Sequence, residues 1–186
     1  MKLKEPAGFA KLSYPPQTRR LVFLLLLTLL CAGDARASSA ITRALSISEL
    51  TTRSDVIVLG TVSFIGSEWN PNRTAIETRV DLKVEEIFKG TVDQAKISFY
   101  QLGGAVDGTA SSLGEAAAFV EGERVAVFLF KNDRERLQLV GFFQGKFSVE
   151  RRPKGETAVR RIPGVSKPVD EFPLDNFKLQ VQKSIA

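Results

Sequence analysis

Residues 77–88 read ETRVDLKVEEIF, and their alternation decides the fold class. Thr78, Val80, Leu82 and Val84 alternate with Arg79, Asp81, Lys83 and Glu85. A period of two with charge on one side predicts a half-buried antiparallel strand. Upstream, residues 55–65 (DVIVLGTVSFI) are dense in β-branched side chains and predict a second strand, with Trp69, Asn70, Pro71 and Asn72 as the turn between the two. Downstream, Lys89-Gly90 ends the alternating strand, and residues 95–101 predict another with Ile97 and Phe99 on one side. Residues 124–131 (RVAVFLFK) are apolar on both faces, the mark of a central strand. Residues 136–149 (RLQLVGFFQGKFSV) predict a long strand interrupted at Gly141 and Gly145, as bends or bulges of a closing barrel would require. Residues 151–156 then turn into a short strand over 157–162.

Two helices frame these strands. Ser46 with Glu49 three residues on has the spacing of a capping box, and predicts one or two helical turns over 46–54. At the other end Leu174, Phe177, Val181 and Ile185 recur at helical spacing, so an amphipathic helix is expected from about Asp175. Pro163, Pro168 and Pro173 thin out the structure before it. Residues 102–122 contain five glycines and little periodicity, which predicts a long loop with a helical turn near 115–119.

The N-terminus carries an address. Residues 21–33 (LVFLLLLTLLCAG) form an apolar run after Arg19-Arg20, and Ala35-Arg36-Ala37 is an A-x-A cleavage pattern. The expectation is a signal peptide over 1–37, cleaved after Ala37, and a secreted or periplasmic mature chain; Cys31 is the position at which a lipid anchor would attach instead. The apolar run is too short for a stable transmembrane span. Of the formal net charge of +5, most lies in these first 37 residues, which hold six bases and two acids. The remaining 149 residues carry 20 bases and 19 acids, so nucleic acid is not the expected partner. There is no His, and the one Cys lies in the expected signal peptide, which excludes a Cys/His zinc site, a Ser-His-Asp triad, a Cys nucleophile and a disulfide from the mature chain. No metal and no cofactor are expected, and a hydrolase would have to work with Ser, Lys, Asp or Glu alone.

Three segments together carry a resemblance: residues 54–62 (SDVIVLGTV), 84–90 (VEEIFKG) and 122–130 (GERVAVFLF). In that order they resemble the netrin-like module, the OB-type barrel shared with tissue inhibitors of metalloproteinases, over about residues 46–149. The segment 140–147 (VGFFQGKF) also resembles a set of uncharacterised secreted bacterial proteins. The inhibitors present an N-terminal, disulfide-fixed cysteine to the target's zinc, and a mature chain beginning near Ser38 without Cys has no such group. The resemblance therefore implies a fold, with function to be argued from the site. The expected organisation is a signal peptide (1–37), a leader (38–45), a mostly β, small OB-like barrel of about five to six antiparallel strands with a short helix before it (46–163), and a Pro-containing linker with the C-terminal amphipathic helix (164–186).

Two surfaces stand out as candidate sites. Gly103, Gly104, Asp107 and Gly108 in the Gly-rich segment, with Gln144 and Lys146 at the interrupted strand, form a possible partner surface. Arg151, Arg152, Lys154, Arg160 and Arg161 gather around one predicted hairpin as a possible anion surface. Glu85 and Glu86 are adjacent and should point to opposite faces, which argues against a paired-carboxylate active site. Trp69 and Tyr100 are single aromatics near strand ends, and Asn72-Arg73-Thr74 is a sequon in a turn. The function expected is a non-enzymatic binding module for an envelope or extracellular protein, with a carbohydrate or anionic surface-polymer binder as the alternative.

Overall fold

The computed structural model describes residues 43–92, 95–111 and 114–186. The expected signal peptide, Cys31 and the leader up to residue 42 lie outside the described residues. The chain is mostly β. Helix α1 (Ile47–Arg53) opens the unit with the expected capping box: the Glu49 N–H donates to Ser46 Oγ at 3.2 Å and the Ser46 N–H to Glu49 Oε2 at 2.9 Å. Strands β1 (Val56–Trp69) and β2 (Ile76–Lys89) pair antiparallel, followed by β3 (Lys96–Leu102). After a short hairpin, β4 (Gly104–Val106) and β5 (Thr109–Ser111), come β6 (Arg124–Lys131), β7 (Leu137–Leu139), β8 (Lys146–Arg152), β9 (Gly155–Arg161) and β10 (Pro168–Pro173). Helix α2 (Leu174–Ile185) closes the chain and buries Leu174, Phe177 and Val181 of the stripe read from the sequence, while Ile185 is exposed.

β1 is hydrogen-bonded along both edges, to β2 on one side and to β6 on the other. The pairings run β1-β2-β3-β7-β6 and return to β1, all antiparallel except the single β3–β7 pair, Tyr100 with Gln138. On its second edge β6 meets β7 through Leu129 and β8 through Val125, so β8, β9 and β10 branch off as an extension.

The two faces of β1 and β6 serve two cores. Val56, Val58, Val125, Val127 and Leu129 pack with Val80, Leu82, Ile97 and Phe99 among the strands of the cycle. Ile57, Leu59, Ala126 and Phe128 face the other way, onto α1, α2 and the extension, where Phe128, Phe147 and Phe177 stack with centroids 4.9–6.2 Å apart. This is why 124–131 reads apolar throughout.

Three sequence expectations change. The long loop over 102–122 begins as a hairpin: Asp107 (φ 49°) and Gly108 (φ 76°) are its two-residue turn, and both take the left-handed conformation that a primed turn needs. The long strand over 136–149 is broken, not bulged. Gly141 and Phe142 both have positive φ and lead into a 3₁₀ turn (Phe142–Gly145) between β7 and β8. The Pro-containing linker holds β10, an edge strand on β9 whose end residues are Pro168 and Pro173, positions where a missing N–H costs the ladder little.

Gly145 marks a close approach of backbone: a Cβ there would sit 2.6 Å from the Val140 carbonyl oxygen and 3.0 Å from that of Phe128. Gly145→Val is expected to lower stability by about 1–3 kcal/mol through overpacking, read as a fall in melting temperature by circular dichroism. An unchanged melting point would show that the turn can open. The cap supplies a pH test. Backbone and side-chain hydrogen bonds from Ser46, and the Arg43 guanidinium, hold Glu49 at about 2 against an ordinary 4.5. A lowered carboxylate pKa stabilises the fold above the unfolded value and loses that contribution as pH falls. The melting temperature should therefore drop between about pH 4.5 and 2, and Glu49→Gln should lower it at neutral pH while flattening that acid limb.

Candidate functional site

Three features of the described surface carry polar chemistry beyond packing. The first is a cleft of about 240 Å³ at the ends of β3 and β7, lined by Tyr100, Leu102, Phe130, Gln138 and Phe142 together with Gln101. The Gln101 side chain donates from Nε2 to the Ala117 carbonyl at 2.9 Å, which leaves its Oε1 buried without a hydrogen-bond partner. An orphaned buried acceptor costs about 1–3 kcal/mol. On the rim, Phe142 holds φ at 56° and is 48% exposed. A bulky non-glycine residue in the left-handed region is strained, and here little burial offsets the strain.

The second feature is the outward face of β1, β2 and β3. The register sets Phe64 opposite Asp81 and Asp81 opposite Ser98, with Gly66, Arg79 and Tyr100 in the next row. The Arg79 guanidinium lies 5.5 Å from the Phe64 ring centroid, and that of Arg136 lies 3.7 Å from the Tyr100 ring. Arg79 grips Asp81 with two hydrogen bonds of 2.8 Å, Lys96 adds an ion pair at 2.7 Å and Ser98 donates at 2.7 Å. Asp81 belongs to the charged side of the alternating strand, yet it is only 1% exposed. Burial pushes its carboxyl up, but hydrogen bonds from Arg79, Lys96 and Ser98 outweigh that and bring it below the usual range. Beside it, Arg136 pairs with the buried Glu77 at 2.8 Å.

The third is a cleft of about 360 Å³ with apolar walls that include Val120, Phe143, Ile162 and Val165. Lys146, Glu123 and Ser148 line its polar side. Lys146 Nζ donates to both Glu123 oxygens, at 2.8 and 2.9 Å, and to the Ala118 carbonyl, while Ser148 Oγ donates to Glu123 Oε1 at 2.6 Å. Burial lowers the Lys146 pKa against the opposing pull of Glu123. All three ammonium protons are engaged and the carboxylate also accepts from the Val120 N–H. The cluster ties the segment before β6 to β8.

The residues singled out in the sequence scatter. Gly103 is buried, with its N–H on the Ile76 carbonyl and its own carbonyl accepting from Thr78; a Cβ at Gly104 would run into Ser67 and Thr78. Only Asp107 and Gly108 are exposed, at the hairpin tip. Gln144 does not belong to a partner surface: it is buried, accepting the Leu45 N–H at 2.6 Å. Arg160 does not belong to an anion surface either. It is buried against Phe147, paired with Asp170 and donating to the Leu45 carbonyl at 2.7 Å. Arg152 and Arg161 both pair with Glu150 at 2.6 Å, so Arg151 and Lys154 alone of the five are exposed and without an ion pair among the described residues. Glu85 and Glu86 do face opposite ways, Glu85 to Thr61 and Arg124, Glu86 to Lys178 of α2.

Sequence reading missed Phe142, Gln101 and the Arg79–Asp81 pair. Adjacent Gly141 and Phe142 gave no signal of strain, and the Asp-Gly dipeptide at 107–108 was the one available mark of the hairpin. Comparison with protein-family models, curated proteins and solved structures gives no match to this chain.

If the Lys146 cluster is a structural clamp, Lys146→Met should cost about 1–3 kcal/mol by leaving Glu123 half-paired. Ser148→Ala, which removes one donor of several, should cost less than half as much in the same urea titration.

Proposed function

We propose that this chain is a secreted or periplasmic, non-enzymatic binding module built on an OB-type barrel, with an envelope or extracellular protein as its partner. The strand cycle β1-β2-β3-β7-β6, with β3 and β7 parallel, supports the barrel reading, and the netrin-like resemblance of residues 46–149 belongs to the same proposal. The A-x-A pattern at Ala35-Arg36-Ala37 supports export.

The observation that carries the binding role is the cleft at Gln101 and Phe142. A strained, exposed aromatic beside an apolar hollow is the arrangement of a hot spot awaiting its counterpart. The hollow, at about 240 Å³, is smaller than the common range for small-molecule sites and suits one large apolar side chain. Saturation of Lys146 by Glu123 and Ala118 favours a clamp over a catalytic cluster.

Phe142→Gly separates binding from folding. Glycine relieves the left-handed strain, so the variant should melt no lower than the parent and up to about 1 kcal/mol more stable, while losing the anchor. Tagged full-length protein expressed in its own host should retain one protein species through stringent washing, and Phe142→Gly and Leu102→Ser should each release it. Equal retention by parent and variants would overturn the assignment of this cleft.

A further inference from the structure

The outward face of β1–β3 is a second surface, which adjoins the cleft proposed above at Tyr100. We propose that it binds an acidic polysaccharide, with Arg79, Lys83, Lys96 and Arg136 as the contacts to its carboxylate or sulfate groups. Four groups alternate across neighbouring strands: Phe64 on β1, Arg79 on β2, Tyr100 on β3, and Arg136 just before β7. Each guanidinium lies on a ring and is fixed by a carboxylate beneath it, Arg79 by Asp81 and Arg136 by Glu77.

The layering of charge is the central point. Glu68 and Glu85 are exposed at the two ends of this face, and between them the acids are buried, Asp81 at 1% exposure, whereas the side chains of Arg79 and Lys96 are 40% and 51% exposed and Lys83 is exposed with no ion pair among the described residues. Solvent therefore meets the basic layer. A solvated sheet face has no need of a buried carboxylate, and burying one has a desolvation cost. What the buried acids provide is orientation, holding two flat guanidinium groups in place so that little side-chain entropy is lost when a ligand arrives. Arg79 spends Nε and Nη2 on Asp81, and its Nη1 has no partner among the described residues.

Two observations favour polysaccharide over nucleic acid. A guanidinium occupies one face of each ring, Arg136 at 3.7 Å over Tyr100 and Arg79 at 5.5 Å over Phe64, which leaves less aromatic surface for a base to stack upon. The export reading of Ala35-Arg36-Ala37, on which this choice of polyanion rests, leads to compartments where acidic surface polymers are abundant. The hairpin of Arg151 and Lys154 provides an internal control. It carries two exposed, unpaired bases and no aromatic platform.

The test uses the full-length protein with heparin and polygalacturonate as sulfated and carboxylated probes, and a single-stranded DNA oligomer as the competing polyanion, all at low salt. Lys83→Gln with Lys96→Gln should raise the dissociation constant for the acidic polysaccharides about tenfold. Lys83→Gln alone, which breaks no ion pair, should move it the same way by a smaller factor. Arg151→Gln with Lys154→Gln, of equal charge change, should alter it less than about twofold. Phe142→Gly should bind like the parent, which keeps this surface distinct from the protein-binding cleft. Equal loss in the two double variants, tighter binding of DNA than of either polysaccharide, loss of binding in Phe142→Gly, or no polysaccharide binding at all would each overturn the proposal.

Discussion

Over residues 57–60 strand β1 is paired on both edges and buried on both faces, and nearly everything else is arranged by that fact. Its pairing with β2 and β6 closes the strand cycle, and its two rows of side chains feed two separate cores. β6 repeats the pattern: Val125, Val127 and Leu129 face one core, Ala126 and Phe128 the other. Burial of this kind is worth about 1.5–3 kcal/mol for each large side chain, so these two strands form the stiff centre to which helices, hairpins and clefts are attached. Gly60 permits part of that closeness. A Cβ there would meet the backbone of Lys83 and Val84 on β2.

The periphery is fixed differently, by buried polar groups. Arg160 links β9, β10 and the segment leading into α1 through Asp170 and the Leu45 carbonyl, and Gln144 returns to the Leu45 N–H. Arg124 bridges Glu85 and Glu156 on two different strands. Such contacts add little as isolated surface pairs, but where both partners are desolvated they select one geometry, since any other arrangement leaves a buried charge unpaired. Asp81 follows the same logic on the sheet face. Three donors converge on one carboxylate, and the outcome is a rigid basic surface above it.

Two surfaces remain on the described unit that stability alone does not require: a cleft with an orphaned acceptor and a strained Phe, and a ladder of stacked guanidinium groups. They meet at Tyr100, which lines the first and supports the second. A module that holds a protein through one and a surface polymer through the other would be kept at a polymer-rich boundary while it engages its partner.

Sequence by itself determined the strand-rich class, the central strand 124–131, the capped first helix and the apolar stripe of the last one. These are local patterns whose period or capping residues stand in contiguous sequence. The Asp-Gly turn was equally local and was overlooked. Tertiary structure alone decided which bases are surface and which are ion-pair interior. Arg151 and Arg160 look alike in sequence, yet one is exposed and the other is closed in by Asp170, Leu45 and Phe147. It also decided that Asp81, read as a solvent-facing charge, lies beneath Arg79 and Lys96, and that Gln101 is left with a free acceptor. The physical reason is range. Alternation and capping act over a few residues, whereas desolvation and charge pairing depend also on neighbours that sit 16 to 115 positions away and are brought together only when the strands close.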